Sequence, residues 1–136
     1  MKRMIMLLAS IVIGTIAANA QNDLLLPDGT YLYHKQDTCD LFMDVYDPAD
    51  GSEEKFMGIK KPAVIFMFGG GFIGGTRDDK DYNSWFRMMT QNGYRVISID
   101  YRLGLKGSSK VGIAQVNVLD KAIHMAVEDL FAATNF

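Results

Sequence analysis

An unbroken apolar run, Ala63-Val64-Ile65-Phe66-Met67-Phe68, leads directly into Gly69-Gly70-Gly71-Phe72-Ile73-Gly74-Gly75, five glycines in seven positions. A continuous apolar run of six residues fits a strand buried on both faces, as in a parallel sheet covered by helices. Glycine tolerates positive φ and lets other atoms approach the main chain. A loop this rich in it can aim bare N–H groups at an anion. The strand and loop together demand an α/β arrangement with a backbone-lined site at the end of a buried strand.

The flanking sequence supplies the rest of that arrangement. Gly29 to Lys35 and Leu41 to Tyr46 alternate apolar and polar side chains, the period-two pattern of half-buried strands, with a turn over Asp37 to Asp40. They form an expected antiparallel hairpin at a sheet edge, closed by the turn-forming Asp47-Pro48-Ala49-Asp50-Gly51-Ser52. Tyr82 to Asn92 is expected to be a helix with Trp85, Met88 and Met89 on one side, and Gly93 to stand where its C-terminus needs positive φ. Arg95 to Asp100 reads as a further strand. A long helix from about Ile113 to Thr134 then repeats Ile123, Ala126, Val127, Leu130 and Ala133 at helical spacing, with Lys121, His124, Glu128 and Asp129 assigned to the wet side. The expected fold class is α/β.

The first twenty residues stand apart. Lys2 and Arg3 precede an apolar stretch from Met4 to Ala18, and Ala18-Asn19-Ala20 gives the small-x-small pattern of a cleavage site, so residues 1–20 are expected to be a signal peptide and the chain to be exported, periplasmic or secreted. The stretch falls short of the roughly 18 apolar residues a membrane span needs, and no span is expected after cleavage. Residues 21–136 carry 12 Lys and Arg against 16 Asp and Glu, a formal charge of −4, which argues against nucleic acid as a partner. The single cysteine, Cys39, excludes an internal disulfide and reads as a small, partly buried thiol.

Two readings of the glycine loop follow from the residues. Gly69-x-Gly71-x-x-Gly74 after a strand matches a dinucleotide fingerprint. Against it, a charged stretch from Thr76 to Asp81 separates the glycines from the helix. The candidate ribose acid, Asp100, lies 31 positions past Gly69, beyond the usual spacing of about 20. An exported protein also would not ordinarily meet NAD. The other reading is an oxyanion hole, in which preorganised amides stabilise charge that develops on a carbonyl oxygen.

Three motifs bear on that choice. Phe68-Gly69-Gly70-Gly71-Phe72 resembles the His-Gly-Gly-Gly-Phe/Trp segment of α/β-hydrolase esterases and lipases. Leu41-Phe42-Met43-Asp44-Val45-Tyr46-Asp47-Pro48 resembles their second-strand LxLDVYxP, and Ile99-Asp100-Tyr101-Arg102-Leu103 their fourth-strand DYRL. The match spans roughly residues 40–136. It implies the N-terminal part of an α/β-hydrolase fold over residues 21–136, with the third strand between the fourth and fifth. Gly70 and Gly71 would then be the backbone oxyanion-hole donors, and Asp100, Tyr101 and Arg102 supports of the catalytic edge. Phe68 stands where the family usually has a histidine that helps pin the loop.

The same resemblance places the nucleophile in a GxSxG after the long helix, followed by Asp or Glu and then His. No GxSxG occurs in residues 1–136; Gly107-Ser108-Ser109-Lys110-Val111-Gly112 has its second glycine one position too far and follows no strand. His34 and His124 precede the nucleophile's place and read as a strand residue and a solvated helix residue. The expectation is therefore the oxyanion-hole half of an exported serine carboxylesterase, cut before its nucleophile elbow, inactive alone and poorly soluble. Its substrate would be a small-molecule or carbohydrate-linked ester, with no cofactor and no metal. Asp78, Asp79 and Asp81 lack the spacing of a calcium loop. The alternative is a non-enzymatic exported binding module that reuses part of the fold.

Overall fold

The computed structural model describes residues 24–49, 62–108 and 116–136. The expected signal peptide, residues 50–52 of the expected turn, and the stretch before the long helix lie outside them.

Four strands, β1 (Gly29–Lys35), β2 (Asp40–Tyr46), β3 (Ala63–Met67) and β4 (Arg95–Ile99), form one sheet in the order β1-β2-β4-β3. β1 and β4 each run antiparallel to β2, and β3 runs parallel to β4. Helix α1 (Asn83–Gln91) connects β3 to β4, preceded by a single 3-10 turn over Lys80–Tyr82, and α2 (Val116–Thr134) follows β4. This is a partial α/β-hydrolase fold.

The period-two alternation of β2 and β4 sorts their side chains onto two faces. On one face, Leu41 and Met43 of β2 and Ile99 of β4 pack with Tyr33 of β1 and Ala133 of α2. On the other, Tyr46 and Val96 enclose Phe86 of α1, with Phe66 of β3 alongside. Asp44, Ser98 and Asp100 share the α1 face, and Asp44 is in register with Ser98. A bulge between Leu32 and His34 shifts the register of β1. Tyr33, at the bulge, turns inward and donates its hydroxyl to the Asp100 carbonyl at 2.5 Å.

Three expectations need correction. β3 is only half-buried along its length, because it is the edge strand among the described residues and nothing there covers its far side. In α1 the fully buried residues are Phe86 and Thr90, whereas Met88 is exposed. In α2, Ala122, Ala126, Asp129 and Ala133 are buried, while Ile123 and Val127 are 43% and 44% exposed. The face that docks is therefore the one carrying small residues and a single acid, turned by about one position from the apolar stripe. Gly93 has φ 89°, as the end of α1 was expected to require.

Candidate functional site

The glycine loop leaves the carboxyl end of β3 and returns on itself. Gly70 has φ 136° and Gly75 φ 106°. A Cβ on Gly70 would lie 2.0 Å from the Gly74 carbonyl oxygen, and one on Gly75 would lie 2.5 Å from the Gly69 carbonyl oxygen and from the Phe68 ring. The two arms of the loop thus touch through positions that admit no side chain. At the tip, Gly71 and Phe72 are both left-handed, with φ 61° and 62°. A single turn bond, Ile73 N–H to the Gly70 carbonyl at 3.1 Å, holds the tip together, and Leu105 N–H donates to the Phe72 carbonyl at 2.9 Å. Among the described residues no acceptor meets the amides of Gly70 and Gly71, and both glycines are exposed.

Phe68 is buried at the loop's entry. Its ring stacks on Tyr101 with centroids 4.5 Å apart, and its carbonyl accepts the Tyr101 hydroxyl at 2.7 Å. Phe72 meets the edge of the same Tyr101 ring at 6.1 Å. The apolar residue in the position of a family histidine is thus part of a small aromatic core that supports the loop from below. Burial pushes the Tyr101 hydroxyl above its ordinary pKa and so keeps it a donor.

The DYRL segment, which the resemblance makes a support, bonds to its neighbours and also lines the cleft beside the loop. Arg102 donates its amide and Nε to Asp129 of α2 at 2.8 and 2.9 Å, and its Nη2 meets Glu128 at 2.8 Å. Asp129 is wholly buried, which its charged character concealed in the sequence. This pair ties α2 to the carboxyl end of β4. Asp100 accepts from Phe42 N–H at 3.2 Å and from Arg77 Nη1 at 2.7 Å. Burial raises the Asp100 carboxyl above the usual carboxylate range, with Arg77 pulling the other way.

Arg77 is the residue that sequence reasoning missed. It stands in the stretch assigned only as polar and charged, two positions past Gly75. Its Nε lies 3.0 Å from Asp44 Oδ2, close enough for an ion pair but off the direction of a hydrogen bond. Its carbonyl accepts the hydroxyl of the fully buried Ser98 at 2.8 Å. The guanidinium lies 5.7 Å from the centre of the Phe42 ring. Burial disfavours its charge, but Asp100 and Asp44 outweigh that and leave its pKa raised. The available signal was two acids on one sheet face, Asp44 of β2 and Asp100 just past β4, while the one cation on either strand, Arg95, pairs with Asp47 instead.

The remaining candidates stay apart from the loop. His124 is an exposed α2 residue bonded to the Asp120 carbonyl, and His34 pairs with the Gln36 side chain. Asp79 caps the 3-10 turn by accepting from Asp81 N–H at 3.0 Å, and Asp78 accepts from Thr76 Oγ1. Among the described residues no group of three or more His, Cys, Asp or Glu is arranged to hold a metal. α1 begins eight residues after Gly75, so its N-terminus does not meet the glycines as a dinucleotide site requires. A cleft of about 390 Å³ opens beside the loop, lined by Phe68, Gly75, Cys39, Arg102 and Lys106 among others. No described helix is long and apolar enough to cross a membrane.

A glycine loop at the carboxyl end of a parallel strand, in a mixed sheet with a helix on each face, defines an α/β-hydrolase-type architecture. The family model BD-FAE matches residues 43–127, and the chain belongs to this α/β-hydrolase-type esterase family. Among solved structures, it is similar to the apo form of Thermogutta terrifontis esterase 2, with a TM-score of 0.52 and 24% identity over 77% of this chain and 32% of that one. It is likewise similar to the propionate-bound form of a thermophilic esterase from the same planctomycete, with a TM-score of 0.51 and 25% identity over 77% and 32%. The chain thus spans about a third of the length of these esterases. No curated protein matches it.

Proposed function

We propose that this chain is the oxyanion-hole portion of an exported serine carboxylesterase, with the amides of Gly70 and Gly71 as the donors. The observation that carries the reading is the loop tip. Two exposed amides that meet no acceptor among the described residues are held by glycine geometry at the carboxyl end of β3, in a chain of an esterase family. In acyl transfer, negative charge collects on the former carbonyl oxygen, and donors already fixed in place need no reorganisation to receive it. The reading implies a nucleophile, an orienting acid and a histidine, in the order Ser, Asp or Glu, His, which residues 1–136 do not supply in that pattern. The leader pattern at residues 1–20 supports export to the periplasm or medium, the acidic balance argues against nucleic acid, and the esterase family supports a small-molecule ester as substrate, with a carbohydrate-linked ester as the finer alternative.

The test has two parts. Reading the coding DNA past the Phe136 codon is expected to reveal GxSxG within a few tens of codons, whereas a stop codon there favours a binding module. The protein from the complete reading frame is expected to hydrolyse p-nitrophenyl acetate, with Gly70→Ala lowering kcat by about 10²-fold, because its Cβ would push the amide away from the Gly74 carbonyl oxygen and out of position. Wild-type turnover that Gly70→Ala leaves unchanged overturns the assignment.

A further inference from the structure

We infer that Arg77 is the positioning residue of the glycine loop, setting the direction of the Gly70 and Gly71 amides by clamping the loop's exit to the sheet. The inference rests on the esterase reading for its catalytic consequence, and on geometry alone for the clamp.

The loop has little to hold it from within. One turn bond spans its tip, the Leu105 N–H holds the Phe72 carbonyl, and its entry is fixed by the Tyr101 hydroxyl on the Phe68 carbonyl. The exit is fixed by Arg77 through four contacts to two strands: Asp44 and the Phe42 ring on β2, Ser98 on β4, and Asp100 just past the end of β4. Asp44 and Ser98 are almost wholly buried, and the Arg77 side chain is 19% exposed. Asp44 is itself held by Thr30 Oγ1 at 2.6 Å, so the clamp reaches β1.

Motion at this point passes to the donors by contact. Arg77 lies two residues from Gly75, which rests against the Gly69 carbonyl and the Phe68 ring, while Gly74 rests against Gly70. A displacement of the exit therefore reaches Gly69 and Gly70 through these two close approaches. Only arginine suits the position, because its planar fork can meet carboxylates on two strands while its face lies near the Phe42 ring. A lysine ammonium lacks the fixed fork and the flat face, so it would hold the two carboxylates in no set direction. The two motif acids, Asp44 and Asp100, thereby acquire a shared role as the anchors of this side chain.

The test uses the protein from the complete reading frame, with Arg77→Lys and Asp44→Asn as variants and Arg95→Lys as control. Arg95 forms a half-exposed pair with Asp47 at the far end of β4. In 15N relaxation, Gly70 and Gly71 are expected to fall from about 0.85 in order parameter to below about 0.6 in both variants, with strand amides unchanged. With p-nitrophenyl acetate, kcat is expected to fall about tenfold or more at constant KM. A role confined to stability would lower the melting temperature and leave the order parameters and the kcat of the folded protein alone. Unchanged loop order in Arg77→Lys and Asp44→Asn overturns the inference, as does an equal effect in Arg95→Lys. A wild-type protein that turns over no ester contradicts the esterase reading, while the relaxation data still decide the clamp.

Discussion

Gly70 and Gly71 are adjacent, both exposed and both at positive φ, yet the structure separates them sharply. A Cβ on Gly71 meets nothing within 4 Å. Gly71→Ala therefore suffers only the left-handed backbone of φ 61°, a penalty of about 1 kcal/mol. A Cβ on Gly70 lands 2.0 Å from a backbone oxygen, about 1 Å inside any tolerable contact, at φ 136°, where essentially only glycine is found. The backbone term alone is about 1–3 kcal/mol. Relief of the clash must also part Gly70 from Gly74 and break the Ile73 turn bond, worth about another 1 kcal/mol. Gly70→Ala is thus expected to destabilise by about 3 kcal/mol. With a urea slope near 2 kcal/mol/M, the midpoint falls about 0.5 M for Gly71→Ala and about 1.5 M for Gly70→Ala. Equal midpoints for the two variants, or a larger loss for Gly71→Ala, would refute the account of the loop as two arms in direct contact.

Three further outcomes follow from the packing. Asp129→Ala leaves the Arg102 guanidinium and amide without their buried acceptor and is expected to cost about 3–5 kcal/mol in urea unfolding. Tyr101→Phe keeps the stacked ring but strands the Phe68 carbonyl, a loss of about 1–3 kcal/mol by the same measurement. Burial, then the Asp44 and Asp78 charges, push the Tyr46 hydroxyl from 10.0 up to about 12. Because the folded value is the higher, this contribution to stability is complete below pH 10 and is lost as the pH rises toward about 12. Urea midpoints across that window are expected to fall less steeply in Tyr46→Phe.

The positions of the strands were legible in the sequence, from alternation in β1 and β2 and a continuous apolar run in β3, but their burial was not, since Tyr31 and Leu32 are exposed and β3 is half-buried at the sheet edge. The glycine loop was legible for a related reason, since its conformational demands are local and only glycine meets them. What escaped was long-range. Asp129 looks like a surface acid in a helical pattern, and its burial depends on Arg102, 27 residues earlier in the chain. Ile123 and Val127 carry the stronger apolar signal on α2, but the small residues Ala122, Ala126 and Ala133 let the helix approach the sheet, so packing distance overrode hydrophobicity. Arg77 sat in a run of like-looking charges. Its distinction lies in two carboxylates contributed by separate strands, a juxtaposition that exists only once β2 and β4 are paired. Phe68 was legible as a departure from the family pattern, but its partnership with Tyr101 was not.

The central claim is that the loop presents Gly70 and Gly71 amides to an oxyanion, and a carboxylate titration of the 15N-glycine-labelled protein tests it without requiring turnover. With propionate as the probe, the account predicts downfield movement of the Gly70 and Gly71 amide protons, with Gly29, Gly93 and Gly104 unmoved. Stationary Gly70 and Gly71 resonances at saturating propionate, with shifts confined to other glycines, would contradict it.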